Sequence, residues 1–252
     1  MNSILIILPY GNLNKNEERD KQLTIIKNHL LNLVVQKKRI KYFIMISEQI
    51  KPKKYFNRGI LINIAVKYFK ENFGTPNSII FHDIDILPNN TMFKHYNKKE
   101  KSYSIIPIKS KTHRKIYSYK LFTGSAVYMT DFITFKNANG FPNNFWGWGG
   151  EDNALHNRYK KNNIGLKYNY DIYADYESLD KQRKSHRDKM NYLKKNKLRN
   201  MTVWEELEKD KSNWKNNGYN QLIEGNQYNI ENEYIEELNS YSTTIHIMIK
   251  LT

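Results

Sequence analysis

Two short stretches hold most of the side chains in this chain that could do chemistry. Ile79-Ile80-Phe81-His82-Asp83-Ile84-Asp85 is an apolar run that stops in two carboxylates one residue apart. Asn143-Asn144-Phe145-Trp146-Gly147-Trp148-Gly149-Gly150-Glu151-Asp152 sets two tryptophans and three glycines before an adjacent acid pair. Carboxylate oxygens such as those of Asp83 and Asp85 suit a hard divalent cation, magnesium or manganese. A carboxylate such as Asp152 can take a proton from an attacking hydroxyl. Trp148 can stack on a sugar face, and Gly149 and Gly150 let a ligand approach the backbone closely. A cation at one element and a base at the other is the arrangement that sugar transfer needs.

Each stretch has a plainer reading. Asp83 and Asp85 can be a solvated strand end, and Glu151-Asp152 can simply answer the positive end of a helix. Packing alone accounts poorly for the Trp-Gly-Trp-Gly-Gly run, which is costly to order. His186, in Ser185-His186-Arg187-Asp188-Lys189, is a candidate ligand because a cation at Asp85 needs further donors. Imidazole nitrogen also suits manganese better than magnesium. His82 competes for that role, but its strand phase opposes Asp83, which ranks it below His186.

These residues need a scaffold. Ile4–Leu8 reads as a buried strand ending at Pro9, and 17–35 as a helix with Leu23, Ile26, Leu30, Leu31 and Val34 at helical spacing. A second strand at 42–46, a second helix at 59–73 and a third strand at 78–81 follow. This alternation predicts an α/β domain with a largely parallel sheet in its first half. Carboxylates after the third strand then lie at its C-terminal end, where open α/β sheets bind ligands. Downstream, strands are expected at 103–107, 125–129 and 245–251, and helices at 131–136, 151–161 and 202–209. Arg158 falls in register with Ala154 and Leu155 on the helix that starts at Glu151.

The 252 residues, 39% of them hydrophobic, suffice for one sizeable core. No apolar run approaches the roughly eighteen residues that would span a bilayer. The N-terminal segment lacks a basic start and a cleavage site, so no signal peptide is expected and a cytoplasmic location is. Without cysteine, disulfides and thiolate-bound zinc are excluded. Lysine and arginine number 41 against 25 acids, a net charge of +16. Such a field attracts phosphate-bearing substrates and anionic membranes. No nucleic-acid module surrounds the basic clusters, so no specific nucleic-acid partner is expected. Peripheral membrane contact is compatible with the charge.

Together, Phe56-Asn57-Arg58, Phe81 to Pro88, Asn139-Gly140-Phe141-Pro142 running through Trp146 to Asp152, and His186-Arg187-Asp188-Lys189 resemble the β-1,4-galactosyltransferase family in order and spacing. The resemblance implies a GT-A fold: a single nucleotide-sugar-binding domain with a mixed central sheet. Residues 1–88 would form the nucleotide-binding half and 89–252 the acceptor and catalytic half. It also implies inverting transfer of galactose or N-acetylgalactosamine from a UDP-sugar to a glycan acceptor, forming a β-1,4 linkage. The cofactor would be Mn²⁺, with Mg²⁺ as the alternative.

By the same resemblance, Asp85 and His186 would ligate the metal, and Asp83 would contact the nucleoside side of the donor. Pro9, Arg19, Phe56 and Arg58 would contact uridine and phosphate. Trp148 would lie on a loop covering donor and acceptor. Asp152 would be the base and Glu151 a supporting or acceptor-side carboxylate, with Gly150 and Asn153 beside the acceptor. Asn153 departs from the family, which usually carries a third acid there, and Arg183 stands where a methionine often precedes the metal histidine. Leu121 replaces a tyrosine that crowds the sugar 2-position in galactose-selective members. The lack of the animal members' cysteines, stem and anchor suggests a soluble bacterial or viral relative. A hexosaminyltransferase using another UDP-sugar, and a non-catalytic carbohydrate- or nucleic-acid-binding protein, are the alternatives.

Overall fold

A computed structural model describes residues 2–12, 17–50, 55–107, 126–179, 191, 193–195 and 202–252. The described elements in chain order are β1 (Asn2–Tyr10), α1 (Glu17–Val34), β2 (Ile40–Ile50), α2 (Arg58–Phe73), β3 (Ser78–His82), β4 (Ile86–Pro88) and α3 (Asn90–Phe93). Then come β5 (Ser102–Pro107), β6 (Val127–Thr130), α4 (Phe132–Asn137), α5 (Glu151–Lys161), β7 (Lys167–Asn169) and β8 (Tyr176–Ser178). The last are α6 (Val203–Asn213), β9 (Tyr228–Asn239) and β10 (Ser242–Leu251).

Eight strands form one sheet in the order β7-β5-β6-β3-β1-β2-β10-β9, and β4 pairs with β8 in a separate ribbon. β1 runs parallel to both β2 and β3, and β10 runs parallel to β2. β6 is antiparallel to β3 and β5, and β9 is antiparallel to β10, which makes the sheet mixed as expected. Strand alternation sorts the core into two layers. Leu5, Ile7, Phe43, Met45, Ile79 and Phe81 face α2, α4 and α5. Ile4, Ile6, Leu8, Ile44, Ile46 and Ile80 face α1 and α3. The result is a sheet with helices on both sides, whose strands read as near-continuous apolar runs because both faces are buried.

The helices end where local chemistry stops them. Asn57 caps α2, its Oδ1 accepting from the Ile60 N–H at 3.0 Å, and Gly74 follows at φ 88°. Asp131 caps α4 in the same way, accepting from the Thr134 N–H at 2.7 Å.

β3 stops at His82, so Asp83 and Asp85 follow it in a turn leading into β4, at the strand's C-terminal end as expected. Two differences from the sequence expectations matter. β10 begins at Ser242, ahead of the expected strand start. β9 was not anticipated, because its residues alternate poorly and are mostly exposed along an edge. Among the described residues no helix is long and apolar enough to cross a membrane.

Candidate active site

The parallel strands β1, β2 and β3 deliver their C-terminal ends to one edge of the sheet. Ile7 is level with Phe81, and Pro9 and Tyr10 are level with Ser47 and Glu48. Pro9 and Asp83, each two residues further on, therefore emerge side by side. β6 enters at the same edge, the Asp83 N–H donating to the Ala126 carbonyl at 2.8 Å. Asp85 follows in the turn, its carbonyl accepting from the Leu179 N–H at 2.8 Å, which ties the turn to the end of β8.

Arg58, at the start of α2, joins the two acidic motifs. Its Nη1 lies 3.0 Å from Asp152 Oδ1 and its Nη2 3.3 Å from Asp83 Oδ1. The guanidinium also lies 5.8 Å from the centre of the Phe141 ring. A planar, delocalised cation can serve two carboxylates and a ring at once, which an ammonium could not do in this geometry. Burial opposes the Arg58 charge, but Asp152, Asp83 and Glu151 outweigh it and hold the guanidinium firmly protonated. For Asp152 the balance runs the other way. Burial, together with the Glu151 and Asp83 charges, raises its carboxyl well above the ordinary aspartate range despite Arg58. Burial likewise raises Glu151. A carboxylate raised in this way is a stronger base than a solvated one.

The loop before the acid pair is shaped by its glycines. Gly147, Gly149 and Gly150 have φ of 82°, 111° and 97°, values that side chains with a Cβ rarely adopt. At Gly150 space is also exhausted, since a Cβ would lie 2.5 Å from Val203 Cγ2 and 2.8 Å from the Phe145 ring. Gly150 caps α5, so Glu151 and Asp152 form the first turn of that helix beside its free N–H groups. The two tryptophans divide: Trp146 packs against the core while Trp148 is 42% exposed.

Phe56 links this loop to β1. Its carbonyl accepts from the Gly147 N–H at 2.9 Å, and its ring leaves no room for a Cβ on Gly11. Arg19 lies half-buried on the first turn of α1, next to Asp20. Asp20 accepts from the Tyr10 hydroxyl and, at 2.8 Å, from Asn12 Nδ2. Pro9, Arg19, Phe56, Arg58, Asp83, Asp85, Trp148, Gly150, Glu151, Asp152 and Asn153 are all described. Leu121, Arg183 and His186 lie outside the described residues.

Several supporting residues carry no obvious chemical signature in the sequence. Asn63, within the apolar pattern of α2, is fully buried; its Nδ2 donates to the Phe141 carbonyl at 2.7 Å and to Asn143 Oδ1 at 2.8 Å. Asn57 Nδ2 donates to the Asn143 carbonyl at 2.8 Å. Arg158 is 1% exposed and uses its whole fork. It bonds Asp210 through Nε at 3.1 Å and Nη2 at 2.5 Å, and reaches the carbonyls of Asn139, Gly140 and Asn217 at 2.9, 2.8 and 2.6 Å. The signal for these was a polar residue in register with an apolar face.

The donor chemistry at the end of β3 fits a hard cation through Asp85. Among the described residues no group of three or more histidine, cysteine or acidic side chains converges as a complete metal cage. His82 is engaged elsewhere. Its Nδ1 lies 2.7 Å from the Asp83 carbonyl, which can only accept, so Nδ1 carries the proton. Burial pushes the His82 imidazole down to about 4, which keeps it neutral.

Two family models match the chain: the N-terminal region of glycosyl transferase group 7 over residues 1–97, and the N-terminal domain of galactosyltransferase over residues 107–182. Together they cover more than half of it. β-1,4-Galactosyltransferase 6 of Homo sapiens is 32% identical over 163 residues, covering 62% of this chain and 37% of that protein. β-1,4-Galactosyltransferase 4 of Cricetulus griseus is 33% identical over 153 residues, covering 60% of this chain and 41% of that protein. The chain thus spans well under half the length of these relatives. Among solved structures, a Drosophila β-1,4-galactosyltransferase 7 variant in complex with manganese, UDP-Gal and xylobiose superposes with a TM-score of 0.67 at 18% identity, covering 100% of this chain and 95% of that one. The catalytic domain of the same enzyme with xylobiose gives 0.68 at 18% identity and the same coverage. The chain is a GT-A-fold relative of the β-1,4-galactosyltransferases.

Proposed function

We propose that this protein transfers galactose or N-acetylgalactosamine from a UDP-sugar to a hydroxyl of a glycan acceptor, with inversion and formation of a β-1,4 linkage. The observation that carries this reading is the Arg58 fork, which sets the base candidate Asp152 and the strand-end carboxylate Asp83 around one guanidinium. Likeness to the galactosyltransferases supports the donor class.

In this mechanism Asp152 accepts the acceptor hydroxyl's proton as that oxygen attacks the anomeric carbon from the face opposite the departing UDP. Glu151 flanks the acceptor. Trp148 covers the sugar, and the loop that carries it keeps water from competing for the donor. Pro9, Arg19 and Phe56 border the uridine and phosphate positions, and Asp83 faces the nucleoside side. Asp85 and His186 would hold Mn²⁺, or Mg²⁺ in its place, which when bound neutralises charge growing on the UDP leaving group.

The test is hydrolysis and transfer across a panel of UDP-sugars with and without manganese, alongside Asp152→Asn. One donor should turn over with metal, and the substitution should lower kcat about 10²–10⁴-fold while UDP binding persists. Failure of every UDP-sugar to bind or react would overturn the reading. The reacting donor also decides between the galactose and N-acetylgalactosamine forms of the proposal.

A further inference from the structure

The segment that carries Asp83 and Asp85 is fastened by two histidines to which the transfer chemistry gives no task. His82, the last residue of β3, is fully buried, and its Nδ1–H donates to the Asp83 carbonyl at 2.7 Å. His29, on α1, reaches β4. Its Nε2 lies 2.7 Å from the Pro88 carbonyl, which can only accept, so Nε2 carries the proton there. One imidazole therefore holds the backbone where the turn begins, and the other holds it where β4 ends.

Packing explains neither ring. The buried apolar stripe of α1 is Ile26, Leu30 and Val34, and His29 stands beside it, half-buried. At position 82 an aliphatic side chain would fill the space against Tyr96, whose ring centre is 5.9 Å away, without burying two ring nitrogens. His82 Nε2 has no hydrogen-bond partner among the described residues, so the bond to Asp83 is what the buried ring contributes. In both places imidazole adds an N–H aimed at a main-chain carbonyl of the same short segment.

The rest of that segment is held from other sides. The Asp83 N–H is tied to β6 and the Asp85 carbonyl to the end of β8. Ile86 is level with Ser178 in the β4–β8 ribbon. Past Pro88, the Asn89 N–H donates to the Asp175 carbonyl at 2.8 Å, and Asn89 Oδ1 accepts from the Met92 N–H at 2.7 Å. The histidines add the side covered by α1. A carboxylate on a loose turn must be ordered when a ligand binds, and that entropy subtracts from affinity.

We propose that His29 and His82 are positioning residues for the cation: their two N–H bonds pre-order the Asp83–Pro88 backbone, so that Asp85 meets a divalent ion with little ordering left to lose. The proposal rests on the transfer reading, in which Asp85 holds that ion. Both histidines act through the backbone, one step removed from the ligand.

Manganese binding to the full chain, measured with UDP present by electron paramagnetic resonance of the free ion, tests this without turnover. His29→Leu and His82→Leu should each weaken binding about 3- to 10-fold. His29→Gln and His82→Asn return an amide N–H near the places of Nε2 and Nδ1, and should recover most of the affinity. At saturating manganese, kcat of the leucine variants should stay within about twofold of the parent value, because only binding of the ion has been weakened. Affinity unmoved in both leucine variants, or a loss that glutamine and asparagine do not restore, would overturn the proposal and leave the histidines as packing. Should His82→Leu fail to fold, half-buried His29 carries the same test alone. A parent protein that binds no manganese would overturn the metal reading and this proposal with it, whereas binding by the parent with unmoved variants overturns this proposal only.

Discussion

Arg58 Nη1 sits 3.0 Å from Asp152 Oδ1, although 94 residues separate the two in the chain. One guanidinium thereby connects the start of α2 to the start of α5 and fixes where the acid pair stands relative to the end of β3. The Asp152 carboxylate is 26% exposed on its side chain. It is sheltered enough for its proton affinity to be set by neighbours and open enough to meet a substrate hydroxyl.

Removing that cation should move the pH dependence in one direction. A base acts in its ionised form, so kcat/KM rises with pH through the Asp152 titration. Burial, Glu151 and Asp83 already place that limb above the ordinary aspartate value of about 3.9, and Arg58 opposes them. In Arg58→Met the opposing charge is gone, so the limb should shift further toward alkaline pH and activity at neutral pH should fall. A pH–rate profile of the two proteins checks this; an acid shift would contradict the electrostatic account.

Gly150→Ala should destabilise the fold and impair the site together. The new methyl group would meet Val203 and the Phe145 ring, and its residue would be held at φ 97°. Strain of both kinds costs about 2 kcal/mol or more. A lowered urea midpoint with an unchanged slope is the expected result. Gly149→Ala, at φ 111° but with nothing within reach of its Cβ, should cost less.

Arg158→Met tests the buried fork. The substitution leaves Asp210, 5% exposed, without its bidentate partner and the Asn139, Gly140 and Asn217 carbonyls without their donor. Breaking such a pair from one side costs about 3–5 kcal/mol. The double variant Arg158→Met, Asp210→Leu should recover part of that loss in equilibrium denaturation, because the stranded charge is gone.

His82 should make the fold acid-sensitive ahead of the carboxylates. Its folded-state value, near 4, lies below the unfolded value of about 6.5. The unfolded chain therefore binds the extra proton first, and stability that is full above pH 6.5 drains away as pH falls toward 4. The effect is on the order of 3 kcal/mol. Unfolding free energies of the parent and His82→Asn across that range should diverge at high pH and converge at low pH.

The fold was legible where burial imposed a period. Ile26, Leu30 and Val34 marked α1, and the unbroken apolar runs at Ile4–Leu8 and Ile79–Phe81 marked strands buried on both faces. The two acidic motifs were legible because carboxylates and glycines have few structural reasons to cluster. That Arg58 would join them was not, since the contact depends on how α2 and α5 pack. Asn63 and Arg158 stayed hidden for a related reason: both sit in apolar registers, and only the packed structure shows which carbonyls they satisfy. β9 was missed because an edge strand answers to solvent as much as to a core.

β10 lies between β2 and β9, with Ser242 level with Tyr42 and Lys250 level with Ile50. A ribosome must therefore finish both the loop that carries the acid pair and the β9 hairpin arm before β2 can be paired on both sides. Until then the nascent sheet offers an apolar strand edge to any other chain nearby. Contacts this distant in sequence also slow the search for the native state. Synthesis at reduced temperature, or with chaperones in excess, should raise the soluble yield, and deletion of β10 should drive the remaining chain into aggregates.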